Sequence, residues 1–318
     1  ASSNLLSGND NIVVASVSCI YNIGDPAEFE NMAFSLQVGQ LYPRRQLLES
    51  FISLFYTRSE MEFKRSSFRV RGATLELWPS YTDSFLSLEF QDDTLIKITQ
   101  RHPLTGKEII LEKFKLFPAK QYVSGHQDLD EIFKNIRSDC AKQVELFNSQ
   151  NKILEAHRIQ QRVEYDLEML QETGYINGIE NYSIYFDKNR QHGDPPYTLV
   201  DYFRHLWGDN FLTVIDESHV TVPQIGGMHA GDVARKNNLI DFGFRLPSAL
   251  DNRPLKFTEF EQRLAKVVYV SATPSKYELE KSKSHIAQQI IRPTGLVDPE
   301  ISIRSTKNQI PNLVEEIK

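Results

Sequence analysis

The sequence predicts an α/β fold in which a parallel sheet is interrupted by an antiparallel insert and a helical subdomain. Three observations predict it. FLTVIDESH (211–219) and VVYVSATP (267–274) are apolar runs that end in polar residues, as buried parallel strands do at their carboxyl ends. From about 37 to 122 apolar and polar residues alternate, the period of an antiparallel sheet with one solvated face. From 128 to 172 the apolar residues recur at helical spacing,.

Taken in order, NIVVASVSCIY (11–21) reads as a buried strand of the parallel sheet, with Ser16, Ser18 and Tyr21 at its polar end and Cys19 a small buried side chain,. Asp25 then suits a helix N-cap, with Pro26 in the first turn. In the alternating region Gly72 divides two strands, Gln91-Asp92-Asp93 divides two more, and LTGK (104–107) makes a further turn,. Phe68 and Val70 point one way there, so Arg69 and Arg71 point the other. Arg58, Lys64 and Arg65 are close in sequence. This basic face is either a solvated surface or a docking patch for an acidic partner, since arginine's planar fork matches carboxylates. As a docking patch, its arginines are expected on the solvent side without buried carboxylate partners.

Leu129, Ile132, Phe133, Ile136, Cys140 and Val144, then Ile159, Val163 and Leu170, mark two helices broken at 148–151,. No heptad persists for three repeats, so a packed antiparallel hairpin is expected over a coiled-coil dimer. Residues 187–196 form a polar loop. VPQIGGMHAGDVARKN (222–237) is glycine-rich and reads as a mobile loop, either plain surface or one offering Arg235 and Lys236 to phosphates. FRLPSALDNRPL (244–255) is held by Pro247 and Pro254 and should be ordered. QIIRPTGLVDP (289–299) leads into a linker.

The chain has 318 residues, a formal charge of −6, 40% hydrophobic and 25% charged residues, which describes an ordinary globular chain of two or three domains. The net charge argues against whole-surface attraction to nucleic acid, so any such contact is local. Two cysteines exclude a disulfide framework and suit a reducing cytosol,. No apolar run is long enough to span a membrane, and the eight histidines lack metal-site spacing.

The chemistry concentrates in Asp216-Glu217-Ser218-His219. By itself this is a strand entering an acidic turn. With the second run ending in Ser271 and Thr273, it describes a nucleotide-hydrolysing core. There one carboxylate can hold Mg²⁺ on nucleotide phosphates while its neighbour orients or deprotonates the attacking water. His219 links that site to Ser271 and Thr273.

DESH followed by Ser271-Ala272-Thr273 resembles motifs II and III of superfamily 2 helicases. VASVSCIY (14–21), GIENYS (178–183), FRLPSALDNRPL and QIIRPTGLVDP narrow the likeness to the UvrB family, the helicase-like B subunits of bacterial UvrABC excinucleases. The resemblance implies a RecA-like motor sheet, with 1–33 and 197–299 in the first motor domain. It implies an inserted partner-binding domain at 34–125, a helical subdomain at 126–196, and the start of a second motor domain at 300–318. It further implies a cytoplasmic, DNA-dependent ATPase of nucleotide excision repair that uses ATP and Mg²⁺, with Asp216 holding Mg²⁺ on ATP and Glu217 orienting or deprotonating the attacking water. Such a subunit receives damaged double-stranded DNA from the UvrA ATPase and recruits the UvrC nuclease. Arg58, Arg69 and Arg71 match arginines implicated in UvrA binding, and Ser16, Ser18, Tyr21, Arg235 and Lys236 are candidate DNA contacts.

The chain departs from that pattern. It contains no G-x-x-x-x-G-K-[ST] phosphate loop, begins without Met, and has Ile184-Tyr185 after GIENYS, Gly226 and Val233 after DESH, and Ser275 after SATP, where the family has other residues. An internal piece of a longer protein, inactive in ATP hydrolysis alone, is the expectation. A different class of reading is a non-catalytic UvrA-binding adaptor, like the decayed module of the transcription-repair coupling factor. The intact carboxylate pair opposes it.

Overall fold

The computed structural model describes residues 1–8, 10–120, 129–174, 176–290, 295, 297 and 299–318. Most of the linker expected at 289–299, and the expected boundary at 125/126, lie outside the described residues. Two compact units result, Ala1–Ser275 and Lys276–Lys318, both within a mixed α/β chain.

The first unit begins with α1 (Ser2–Leu6) and α2 (Pro26–Asn31). Asp25 caps α2 by accepting the Ala27 amide at 2.9 Å, with Pro26 in its first turn. Between them, residues 11–21 are not the buried strand expected. They run as open chain into a 3₁₀ turn at Val17–Ile20, with Ile12 and Val14 almost fully exposed. An apolar run becomes a strand only where another strand pairs with it. Here, among the described residues, the single ladder contact is the bridge from Tyr21 to Pro254.

β1 (Phe34–Gln37), α3 (Arg44–Ser53), β2 (Thr57–Arg58), β3 (Ser67–Arg71), β4 (Thr74–Trp78), β5 (Phe85–Gln91), β6 (Thr94–Arg101), β7 (Glu108–Leu111) and β8 (Lys113–Leu116) follow. β1 and β8 pair with each other, and the other strands make a six-stranded sheet in sequence order. Its pairings are antiparallel except the short β2–β3 contact, which is parallel. Gly72 supplies the positive φ, 62°, of the two-residue turn between β3 and β4,. The inner face carries Phe68, Leu75, Leu77, Leu86, Leu88 and Ile98, packed against Leu47 and Phe51 of α3. At about 1.5–3 kcal/mol per fully buried large apolar side chain, this core alone stabilises the insert substantially.

α4 (Leu129–Ser149) and α5 (Ile153–Thr173) form the hairpin the spacing predicts. The break falls at 150–152, slightly later than expected, where Asn151 takes φ 59°. Ile132, Ile136, Cys140 and Phe147 meet Ile159, Val163, Leu167 and Leu170 in one core. A 3₁₀ turn at Ile179–Tyr182 leads into α6 (Ser183–Phe186) and then the polar loop.

That loop is pinned by buried charge. Arg253 holds both oxygens of Glu259, at 2.7 and 2.9 Å, and donates to the Gly193 carbonyl at 3.1 Å. Asp251 accepts from the Gly193 amide at 2.7 Å, and the Arg190 side chain donates to the Asp251 carbonyl at 3.1 Å. The expected order of 244–255 follows, since that segment contributes both Asp251 and Arg253 to these contacts.

α7 (Leu199–Trp207) opens with a capping box between Thr198 and Asp201,. β9 (Leu212–Ile215), α8 (Ser218–Asp241), α9 (Phe257–Arg263) and β10 (Lys266–Tyr269) complete the unit. The second unit holds α10 (Lys276–Ser282) and α11 (Gln309–Ile317). Within it Arg304 joins Asn312 at 2.9 Å and Glu316 at 2.7 Å.

α8 replaces the mobile loop expected at 222–237. Val222, Ile225, Asp232, Lys236 and Ile240 line its buried side, and the buried Asp232–Lys236 pair at 2.7 Å, one turn apart, keeps that side continuous,. At its far end Gly243 sits at φ 70°, and a Cβ there would run into the carbonyl of Glu155. Only glycine allows that approach to α5.

One carboxyl cluster gives a pH test. Burial, then Asp187 and Asp25, hold the Glu28 carboxyl above its ordinary range. The folded chain therefore binds more protons than the unfolded chain just above that range, and stability falls as pH rises through that window. Glu28→Gln should raise Tm at neutral pH and flatten its change between pH 7 and 5. An unchanged or lower Tm at pH 7 would contradict this.

Candidate functional site

β9 and β10 pair in parallel, Leu212 opposite Lys266 through Ile215 opposite Tyr269. The ladder continues past their ends, with the Val270 amide on the Ile215 carbonyl at 2.9 Å and the Ser218 amide on the Val270 carbonyl at 3.0 Å. Those two bonds place the turn at 216–217 beside the segment 270–273. The strand is not buried on both faces as expected. Leu212 and Val214 are 59% and 57% exposed, because β10 is its single strand neighbour among the described residues.

Asp216 and Glu217 both present exposed carboxylates. One Asp216 oxygen accepts the Glu217 amide at 3.0 Å, and the Asp216 carbonyl accepts the Thr221 hydroxyl at 2.8 Å. Glu217 takes φ 43° and ψ 50°, a left-handed conformation that costs a non-glycine residue roughly 1–3 kcal/mol and concentrates at functional sites. It turns the chain from strand into α8 within two residues. Ser218, first in α8, is fully buried.

His219 is where the two segments meet. Its Nδ1 lies 2.7 Å from Ser271 Oγ and 3.4 Å from Glu217 Oε2. Ser271 Oγ in turn accepts the Thr273 amide at 3.1 Å. Thr273 therefore joins through its backbone, and its side chain stands exposed. Glu217, His219, Ser271 and the Thr273 amide form one connected chain of polar groups. It can carry a change at the carboxylates into the segment after β10.

Among the described residues no group of three side chains is arranged to hold a metal. Mg²⁺ needs only one or two carboxylates when nucleotide phosphates and water complete its shell. Asp216, with one oxygen free of the Glu217 amide, fits that part.

The candidate DNA contacts separate into two kinds. Ser16 and Ser18 are exposed and bond to each other at 2.6 Å. Arg235 is exposed, with one contact to Asp232 at 3.0 Å. Lys236 is buried, bonded to Asp232 and to the Asn252 carbonyl, and so does not reach phosphates. Tyr21 is turned onto Asp232 at 3.4 Å. The helical period of α8 carries residues 232 and 236 inward and leaves 235 outside.

On the insert, Arg58 is 56% exposed beside Glu60 at 2.8 Å, and Arg71 is 62% exposed, 3.9 Å from Glu76. Arg71 is on the solvent side as expected, but its partner Glu76 is a nearly buried carboxylate, which the expectation excluded. Arg69 departs from the expectation further. Its side chain is 16% exposed and paired with Glu76, itself 10% exposed, and its guanidinium lies 4.2 Å from the centre of the Phe63 ring. The cause is register, since β3–β4 pairing sets residue 69 directly opposite 76,. Glu76 escaped the sequence reading, although counting outward from the Gly72-Ala73 turn finds it.

Residues 34–122 match the profile described as UvrB interaction domain, and 127–188 match the UvrB third helical domain. The whole chain is 50% identical to the UvrABC system protein B of Arthrobacter sp. strain FB24, over 45% of that protein. It is 49% identical to that of Enterococcus faecalis, over 47% of it, again with the whole chain aligned. The protein of the same name from Mycobacterium ulcerans is 47% identical along the whole chain and over 45% of its own length. The chain thus spans somewhat under half the length of these relatives. Two neighbouring domain profiles of one family, and similarity unbroken from Ala1 to Lys318, place the chain in the UvrB family.

Proposed function

We propose that this chain supplies part of the ATPase motor and the partner-docking domain of a nucleotide-excision-repair subunit. The subunit binds damaged double-stranded DNA delivered by UvrA and then recruits the UvrC nuclease. The observation that carries this reading is the connected group Glu217–His219–Ser271 at the ends of two parallel strands. A decayed adaptor has no need to keep two carboxylates and a strained glutamate there.

In this reading residues 1–33 and 197–299 belong to a RecA-like motor domain, 300–318 begin a second, and 34–125 and 126–196 are the interaction and helical parts. Asp216 would hold Mg²⁺, which would neutralise charge on the ATP phosphates. Glu217 orients and deprotonates water for attack on the γ-phosphate. Its contact with His219 changes as that charge develops, and Ser271 passes the change to the Thr273 backbone. Arg58 and Arg71 meet carboxylates of UvrA, and Ser16, Ser18 and Arg235 face DNA. Among the described residues no helix is long and apolar enough to cross a membrane; placing the protein in the cytoplasm rests instead on its proposed part in DNA repair.

ATP turnover needs a phosphate loop, which these 318 residues do not contain. The full-length protein should hydrolyse ATP in a manner stimulated by UvrA and ultraviolet-damaged duplex, while the 318-residue chain alone should not. Turnover by the short chain, abolished by Glu217→Gln, would overturn the division of labour. A full-length protein without turnover would favour the adaptor.

A further inference from the structure

The basic face of the insert is largely neutralised from within. Arg58 pairs with Glu60, Lys64 with Glu62, Arg65 with Asp83 and Arg69 with Glu76. One of these carboxylates differs from the rest. Glu76 is nearly buried, whereas the side chains of Glu60, Glu62 and Asp83 are 45%, 75% and 75% exposed. It lies in the middle of β4, opposite Arg69 on one side and Ser87 on the other.

Its Oε2 meets Arg69 and also faces Arg71 at 3.9 Å. Arg69 is fixed from beneath by Phe63, whose ring packs edge-on against Phe85 at 5.3 Å and tilted against Trp78 at 5.6 Å. One carboxylate thus serves two guanidiniums, one nearly buried and one exposed.

We propose that Glu76 is a positioning residue of the docking face: with Phe63 it locks Arg69 as a platform and holds Arg71 as the arginine presented to an acidic partner. This rests on the docking role proposed for the face. Arg69 then supports binding without meeting the partner. Long arginine side chains lose rotamer freedom on binding, and prior restraint lowers that cost.

The sign of one substitution separates this from charge attraction alone. Glu76→Gln makes the face more positive, so attraction alone predicts tighter binding to an acidic partner, most of all at low salt. Positioning predicts weaker binding. With the full-length protein and purified UvrA, titrated at low and physiological salt and well below the Tm of the variant, Glu76→Gln should raise Kd about tenfold. Its Tm should fall, because the nearly buried Arg69 loses its ion partner,. Arg71→Ala should weaken binding in the parent and much less in the Glu76→Gln background, a coupling that general loosening would not produce. Phe63→Leu, which keeps every charge, should weaken binding in the same direction and stands in if Glu76→Gln folds poorly. Unchanged or tighter binding by these variants, with Arg71→Glu still disruptive, overturns the role of Glu76 alone. Wild-type affinity from Arg71→Glu overturns the docking face itself.

Discussion

Glu217→Gln in the full-length protein should leave ATP binding nearly intact and reduce turnover by about 10²–10⁴-fold, the usual contribution of a general base or water-positioning group. The amide keeps the size of the side chain and one oxygen near His219, but cannot accept a proton from water. Backbone geometry is preserved too, because the left-handed turn at 217 depends on φ and ψ rather than on charge. The separation of binding from turnover is the diagnostic part. A variant that lost both would have lost the turn, and Tm would report it. Turnover within twofold of the parent, at saturating ATP and damaged DNA, would remove Glu217 from the chemistry.

Arg253→Ala should be the most damaging substitution away from that turn, lowering unfolding free energy by about 3–5 kcal/mol. The guanidinium is 5% exposed and Glu259 15%, so removal strands a carboxylate that already spans two guanidinium nitrogens and the Lys256 amide. It also frees the Gly193 carbonyl, loosening the loop at 187–196. Arg253→Lys should cost less, because an ammonium keeps the charge while losing the two-pronged fit. Urea denaturation of the full-length protein measures both. A loss below about 1 kcal/mol for Arg253→Ala would mean that the pair is no more than a surface bridge.

The local chemistry was legible wherever composition and period agree. Apolar runs ending in DESH and SATP gave two strands and their order of polar residues, and Gly72 gave the β3–β4 hairpin. Residues 11–21 misled because a strand is a relation between two chains, and no periodicity in Ile12 or Val14 says whether a neighbour exists. α8 was hidden for the opposite reason. Pro223, Gly226, Gly227 and Gly231 disfavour helix locally, and its inward stripe is broken by Asp232 and Lys236, which look exposed until seen as a pair. The split of Arg69 from Arg71 needed register as well as alternation. Both arginines share a face, but only one stands opposite a buried glutamate.

α8 gives the carboxylate turn mechanical reach. Its 24 residues make a rod about 36 Å long, starting beside Glu217 and ending where Gly243 abuts the backbone of Glu155. Arg158 clasps that far end, stacking over Phe244 at 4.4 Å and bonding the Phe242 carbonyl. A tilt of roughly 5° at the Glu217 end is a stroke of about 3 Å at the helical hairpin, by the length of the rod alone. Backbone pressed on backbone there leaves no slack to absorb the stroke. The rod's soft joints are Pro223, which lacks the amide needed to brace its own turn, and the glycines Gly226 and Gly227 one turn further on,. The rod therefore either swings the α4–α5 hairpin as a body or flexes in its first three turns, and stiffness at Pro223, Gly226 and Gly227 decides between the two.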